Sequence, residues 1–80
     1  MPMEETIKFG ITTADQLTER ELLVLQRVAD GDTDAEIAEA LHVSVRTVKT
    51  HIQNMRSKTG FRNRTQLAVR AAVAGLVTVE

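Results

Sequence analysis

The sequence contains no cysteine, which excludes disulfides, thiolate metal sites and cysteine nucleophiles. Its two histidines are too few to form a zinc site on their own. Tryptophan and tyrosine are also absent and phenylalanine occurs only twice, although 42% of the 80 residues are hydrophobic. The core must therefore consist of Leu, Val, Ile, Ala and Met, a composition that favours helices.

Long apolar runs and catalytic motifs are missing as well. No stretch approaches the roughly 18 apolar residues of a membrane span, and the acidic start of the chain lacks the apolar run of a signal peptide. We therefore expect a cytoplasmic protein that does not contact a membrane. Since no nucleophile–base set, glycine-rich phosphate loop or metal cluster appears, we predict no catalytic residue, no metal, no cofactor and no enzymatic activity.

The charge is divided unevenly along the chain, although the net charge is only −1. Residues 1–41 carry three basic and ten acidic side chains, a formal charge of −7, whereas residues 42–80 carry seven basic and one acidic, a charge of +6. Such asymmetry indicates a polyanionic partner. The alternative is a basic helix that pairs with acidic neighbours in the same fold.

Capping signals divide the chain into four helices. Thr18 and Thr33 each begin a capping box, whereas Ser44 and Asn63 are good N-cap residues, the latter with Gln66 as its partner at the third position. Three glycines are placed to end helices: Gly31, Gly60 and Gly75. We predict an all-α four-helix bundle with a central helix-turn-helix and helices at about 19–30, 34–41, 45–59 and 64–74.

The first 16 residues do not fit this helical pattern. Ile7, Phe9 and Ile11 alternate like a strand, but a lone strand has no partner in this chain. We therefore predict two parts, an extended or flexible N-terminal arm over residues 1–16 and a single domain over residues 17–80.

The predicted third helix has one apolar and one basic face. At 100° per residue, Val48, Ile52, Met55 and Thr59 share the inward face. The opposite face and its edges contain donors and small polar groups but no acid: Arg46, Lys49, Thr50, Gln53, Asn54, Arg56, Ser57 and Lys58. A helix with such a face suits the base edges and phosphates of a major groove, whereas an ordinary solvent-exposed helix more often mixes Glu with Lys.

Four motifs in order give the chain a specific resemblance. They are Leu17-Thr18-Glu19-Arg20-Glu21, Glu36-Ile37-Ala38, Thr47-Val48-Lys49-Thr50-His51 and Asn63-Arg64-Thr65-Gln66. With these motifs, residues 17–77 resemble the LuxR/FixJ-type (GerE-like, NarL-like) DNA-binding domain of bacterial transcription regulators. Region 4 of sigma factors opens similarly, but His51 and the connection from Gly60 to Gln66 argue against it.

The resemblance implies a double-stranded DNA partner and an output domain of the response-regulator type, with the third helix in the major groove. The family's base-reading positions correspond to Lys49, Thr50 and Gln53. Lys49 offers donors to guanine, and Gln53 can pair with adenine.

Phosphate contacts are expected at the start of the third helix and beyond it. Ser44, Arg46 and Thr47 lie at its positive end, where hydroxyls and backbone N–H groups suit an anion. Weaker candidates are Arg56, Lys58, Arg62 and Arg64. One departure from the family is Asp34 at the start of the second helix, because its charge would repel a phosphate there.

The fourth helix is apolar nearly all round, and a domain of this size cannot bury both of its faces. Leu67, Ala68 and Ala71 can face the core. The other side is a candidate homodimer seam, formed by Thr65, Val69, Ala72 and Val73. Family members also pair through this helix, which implies a (pseudo)palindromic site.

The leading hypothesis is thus a sequence-specific, homodimeric transcription regulator. The alternative is a sigma-region-4-like or protein-interaction module with the same fold. In that case Leu23, which lies off the apolar stripe of the first helix, or the fourth helix would bind a regulatory protein partner.

Overall fold

Four helices account for most of the residues that the computed structural model describes, which are residues 17–78. Helix α1 spans Glu19–Ala29, α2 spans Asp34–Leu41, α3 spans Val45–Thr59 and α4 spans Arg64–Val73. No strand occurs within residues 17–78, so the predicted all-α class is confirmed. The predicted arm, residues 1–16, lies outside the described part of the chain.

The helix boundaries agree with the prediction to within one residue. Helices α1 and α4 end one residue earlier than expected, because Asp30 and Ala74 are C-cap residues whose N–H groups still bond back into the helix. The next residues, Gly31 and Gly75, have positive φ values of 92° and 81° and turn the chain away from the helix axis.

The two predicted capping boxes are both present. The Thr18 hydroxyl accepts a hydrogen bond from the Glu21 N–H at 3.0 Å, and Glu21 Oε1 accepts one from the Thr18 N–H at 2.9 Å. Thr33 and Glu36 repeat the arrangement at 3.1 and 2.8 Å. Because each cap satisfies N–H groups that have no partner within the helix, α1 and α2 begin at defined residues.

The predicted N-cap of α4 is present, but the Gln66 side chain bonds to a different residue. The Asn63 side chain accepts from the Gln66 N–H at 2.8 Å, as expected. Gln66 Oε1, however, accepts from the N–H of Arg62 at 2.8 Å and not from that of Asn63. The predicted N-cap and its partner are therefore confirmed, although the two do not form a reciprocal capping box.

A tight turn joins α2 to α3. His42 adopts the left-handed conformation with φ 59° and ψ 44°, and the next N–H, that of Val43, donates to the Ala38 carbonyl at 3.0 Å. This conformation is uncommon for residues other than glycine, although histidine adopts it more readily than most. No sequence pattern predicted this left-handed conformation at His42. At the other end of α3, Gly60 takes the same conformation with a φ of 80°.

Each helix contributes a fully buried side chain to one core. These are Leu25 from α1, Ile37 from α2, Met55 from α3 and Leu67 from α4. Helix α1 packs against α3 and α4, and α2 packs against α3. The inward face predicted for α3 is confirmed, since Val48, Ile52, Met55 and Thr59 are buried. Of the α4 residues expected to face the core, Leu67 and Ala71 are buried and Ala68 is partly buried against it.

The chain after α4 folds back onto α1. Val77 is buried in the core. Next to it, the Gln26 carboxamide donates to the Thr78 carbonyl at 2.8 Å and accepts from the Thr78 N–H at 3.0 Å. The prediction did not include this contact, which joins residues 52 positions apart.

Two leucines on α1 provide a matched test of this core. Leu25 is fully buried, whereas Leu23 is 48% exposed. We expect Leu25→Ala to lower the free energy of unfolding by about 2–5 kcal/mol, because it removes buried contacts and leaves a cavity. Leu23→Ala should change it by about 0.5 kcal/mol or less. Urea unfolding followed by circular dichroism measures both, and equal effects would contradict the assignment of the α1 core face.

Candidate nucleic-acid interface

Helix α3 begins with a hydroxyl-lined N-terminus. Ser44 Oγ accepts from the Thr47 N–H at 3.0 Å and lies 3.0 Å from Thr47 Oγ1. The first turn contains no acidic side chain. Helix N-termini carry partial positive charge and unpaired N–H groups, so this end of α3 is chemically suited to a phosphate.

The two faces of α3 differ in burial as well as in chemistry. Val48 and Met55 are fully buried, Ile52 is 7% exposed and Thr59 is 9% exposed. His51 and Thr47 are half-buried. The remaining side chains are exposed, and none of them is acidic: Val45, Arg46, Lys49, Thr50, Gln53, Asn54, Arg56, Ser57 and Lys58.

The three predicted base-reading residues lie together on the exposed face. Lys49 and Gln53 are one helical turn apart, and Thr50 lies beside them. Within residues 17–78, the side chains of Lys49, Gln53 and the nearby Arg46 make no hydrogen bond or ion pair. Thr50 differs, because its hydroxyl donates to the Arg46 carbonyl at 3.0 Å.

Other predicted phosphate contacts have partners within the domain. Arg56 donates to the carbonyls of Arg62 and Phe61 and so holds the loop that leads to α4. Lys58 Nζ donates to Glu21 Oε1 at 2.7 Å, which joins the end of α3 to the start of α1. No local signal predicted the pair of Lys58 and Glu21, because 37 residues separate them.

Arg64 connects α4 to the start of α2. Its Nη1 lies 2.5 Å from Asp34 Oδ1, and its Nη2 donates to the Asp32 carbonyl at 3.2 Å. Asp34, the departure from the family pattern, therefore has a cationic partner within the domain. Such a contact reduces the repulsion that its carboxylate would exert on a nearby phosphate.

Glu21 is the buried acid of this region, with 3% of its surface exposed. Burial raises the pKa of its carboxyl group, but hydrogen bonds from Lys58 and the Thr18 N–H, together with the charges of Lys58 and His51, outweigh that effect. Its pKa therefore lies below the ordinary value of 4.5. The carboxylate stays ionised and ties α1 to α3.

The outer face of α4 is apolar and largely uncovered. Val69 is 56% exposed and Val73 is 72% exposed, and Thr65 is exposed beside them. Ala72 is half-buried and packs against the core, so it lies at the edge of this face. The structure thus brings three of the four predicted seam residues onto one exposed surface.

The described residues provide neither a membrane span nor a metal site. None of the helices formed by residues 17–78 is long and apolar enough to cross a membrane. The same part of the chain contains no group of three or more His, Asp or Glu side chains that could hold a metal ion.

The short α2, the tight turn and the amphipathic, basic α3 define a helix-turn-helix protein. Residues 15–71 match the family described as "Bacterial regulatory proteins, luxR family", and the chain belongs to that family. It is therefore a DNA-binding domain of transcription regulators and not an enzyme.

The chain is similar to several named bacterial regulators. It is 49% identical over 57 residues to the transcriptional regulatory protein LiaR of Bacillus subtilis (strain 168). The aligned segment covers 71% of this chain and 27% of LiaR. It is 41% identical over 75 residues to the response regulator protein VraR of Staphylococcus aureus (strain Mu3 / ATCC 700698). The aligned segment covers 94% of this chain and 36% of VraR. The chain thus spans about a third of the length of these relatives.

The lowered pKa of Glu21 predicts acid-sensitive stability. The carboxyl group takes up a proton near its ordinary pKa of 4.5 in an unfolded chain and only at lower pH in the folded one. Its contribution to the free energy of unfolding is therefore fully present above the unfolded pKa and is lost as the pH falls through the folded pKa. Thermal unfolding measured between about pH 3 and pH 7 should show this loss.

Two glutamine variants separate Glu21 from the other carboxylates. Glu21→Gln should lower the free energy of unfolding at neutral pH by about 1–3 kcal/mol. It should also reduce the further loss of stability as the pH falls. Glu39→Gln alters an exposed acid without an ion pair in the described region and should lose stability at low pH as wild type does. If the stability of wild type and of Glu21→Gln falls in parallel as the pH is lowered, the Glu21 carboxylate does not cause the loss of stability in acid.

Proposed function

We propose that this chain binds double-stranded DNA sequence-specifically, with α3 in the major groove and two copies on an inverted or near-inverted repeat. The observation that carries the proposal is the exposed face of α3, which has donors and small polar groups but no acid. An α-helix fits the width of the major groove, where each base pair presents a distinct pattern of donors and acceptors.

Lys49, Thr50 and Gln53 are the proposed base contacts. The amine of Lys49 can donate to O6 and N7 of guanine, and the carboxamide of Gln53 can pair with N6 and N7 of adenine. Since neither side chain bonds to another described residue, contact with a base breaks no hydrogen bond within that part of the domain.

Phosphate contacts are proposed in two groups. Ser44, Arg46 and Thr47 form the first group at the α3 N-terminus. Arg56, Lys58 and Arg64 form a secondary group, because each already makes a contact within the domain. They retain unused donors, since a lysine has three N–H donors and an arginine five.

The apolar outer face of α4 is proposed as the dimer seam, with Val69 and Val73 at its centre and Thr65 and Ala72 beside them. A two-fold axis would place the same residues of both copies against each other. Two recognition helices would then meet two half-sites related by the same symmetry.

The whole-protein context is also a proposal. Relatives named response regulators are more than twice as long as this chain, which supports a role as the output part of a longer regulator. A location in the cytoplasm is part of the same proposal. A regulatory protein partner stays a prediction. Leu23, which is 48% exposed on α1, is the proposed contact.

Replacing Lys49 and Gln53 together by alanine should relax base preference. Each good base contact contributes about 1–3 kcal/mol of discrimination, so loss of both contacts in the double variant should weaken binding by about 30-fold to 20,000-fold for each half-site. Its affinity for unrelated duplex should change much less. Titration of both duplexes at several salt concentrations, followed by fluorescence anisotropy, measures the two effects.

Arg46→Ala is the matched control, because it tests a phosphate contact on the same helix. It should weaken binding to selected and unrelated duplexes alike. The slope of log affinity against log salt concentration should fall by about 1, as expected for the loss of one phosphate contact. If the Lys49 and Gln53 double variant binds its selected site as tightly as wild type, the base-reading assignment is wrong.

A charge on the α4 face should separate the two copies. Val73 is 72% exposed, so Val73→Glu leaves the core intact but would place like charges together at a two-fold axis. Such a juxtaposition costs several kcal/mol, and affinity for a two-half-site duplex should fall tenfold or more. Analytical ultracentrifugation with DNA gives the stoichiometry. Leu23→Glu, on α1, should leave two copies bound, and persistence of two copies with Val73→Glu would contradict the proposed seam.

A further inference from the structure

The hydroxyl of Thr50 is committed to its own helix. Its Oγ1 donates to the carbonyl of Arg46, four residues earlier, at 3.0 Å. Threonine commonly makes this bond inside helices, and the bond selects among its side-chain rotamers. A hydroxyl has one proton, so while this bond is made Thr50 cannot donate to another group. What remains for a partner is its γ-methyl group and the lone pairs of an oxygen drawn toward the helix backbone.

Thr50 nevertheless occupies a position from which a base is within reach. It is exposed at the middle of the acid-free face, between Lys49 and Gln53. Its neighbours on that face include the amine of Lys49 and the carboxamide of Gln53, whose donors are unused within residues 17–78. Thr50, whose proton is already used, thus lies beside Lys49 and Gln53, which can still donate.

The major-groove edges of the four bases differ in what they offer such a side chain. Guanine presents two acceptors, which Thr50 cannot satisfy without a proton. Cytosine and adenine present amino donors, which would need the Thr50 oxygen to turn away from the helix. Thymine presents a 5-methyl group, which needs only an apolar contact.

We infer that Thr50 recognises a thymine by contact between its γ-methyl group and the thymine 5-methyl group. The helix itself sets this selectivity, because the bond to the Arg46 carbonyl uses the proton that Thr50 would otherwise donate to O6 or N7 of guanine. The inference rests on the proposed function, in which α3 enters the major groove.

The test pairs protein variants with DNA that differs by a single methyl group. A duplex is first selected from random sequences with the full 80-residue chain. Each of its thymines is then replaced singly by deoxyuridine, which keeps base pairing but lacks the 5-methyl group. Wild type, Thr50→Val and Thr50→Ser are titrated with every duplex. Thr50→Val keeps a methyl group and removes the hydroxyl, whereas Thr50→Ser keeps the hydroxyl and removes the methyl group.

One thymine in each half-site should respond. There, deoxyuridine should weaken the binding of wild type and Thr50→Val by about 4-fold per half-site, the fold-change that corresponds to burial of one methyl-sized group at about 0.8 kcal/mol. Thr50→Ser should bind the thymine duplex more weakly by a similar factor and be insensitive to deoxyuridine at that position. Such coupling between two methyl groups would not arise from a general loss of helix stability.

Other results overturn the inference. If Thr50→Val loses the selected site, the hydroxyl makes the contact and the partner is a cytosine or adenine amino group. If no thymine distinguishes wild type from Thr50→Ser, Thr50 does not contact a thymine methyl group, although the proposed function stands. A chain that binds no duplex even at low salt overturns the proposed function and this inference with it.

Discussion

The rotation of α3 about its own axis decides which side chains the domain can present to a partner, and burial of one apolar row sets that rotation. Val48, Ile52 and Met55 are at most 7% exposed. Burial of such side chains contributes about 1.5–3 kcal/mol each, whereas a polar contact on the surface contributes less. A rotation by one residue position, about 100°, would expose this row and bury Lys49 or Gln53 in its place. The outward face is therefore a consequence of the core.

Ion pairs between distant segments then join the helices at their ends. Glu21 and Lys58 connect α1 to α3, and Asp34 and Arg64 connect α2 to α4. The two interpretations of the divided charge, a polyanion partner and acidic neighbours within the fold, thus apply to different residues. Lys58 and Arg64 have acidic partners, whereas Lys49 has none in the described part of the chain.

Features that depend on local chemistry could be predicted from the sequence. The Thr18 and Thr33 caps and the buried row of α3 each involve residues within a few positions of one another. Contacts between distant residues could not be predicted in the same way. Nothing near Lys58 in the sequence indicates that its amine meets Glu21, because that distance depends on how α1 and α3 cross.

The same distinction applies to the candidate site. The position of Thr50 on the exposed face follows from helical periodicity, but the use of its hydroxyl proton does not, because a threonine can bond either to its own helix or outward. Similarly, Asp34 can be identified as a charge that opposes a phosphate, but its neutralisation by Arg64 depends on how the fold places the start of α4 near the start of α2. The chemistry available at a site is therefore less predictable than its location.

Exposed acids on α2 should weaken nonspecific binding to DNA. Glu36 and Glu39 are exposed on α2, the helix that precedes α3 in the helix-turn-helix. Their field opposes the phosphate backbone, and nonspecific binding depends almost entirely on that electrostatic attraction. One copy of the domain should therefore have little affinity for unrelated DNA, and the proposed base contacts would have to supply a larger share of the binding. Because two linked half-sites add their free energies, the proposed dimer would recover affinity without the nonspecific attraction that a more basic monomer would need.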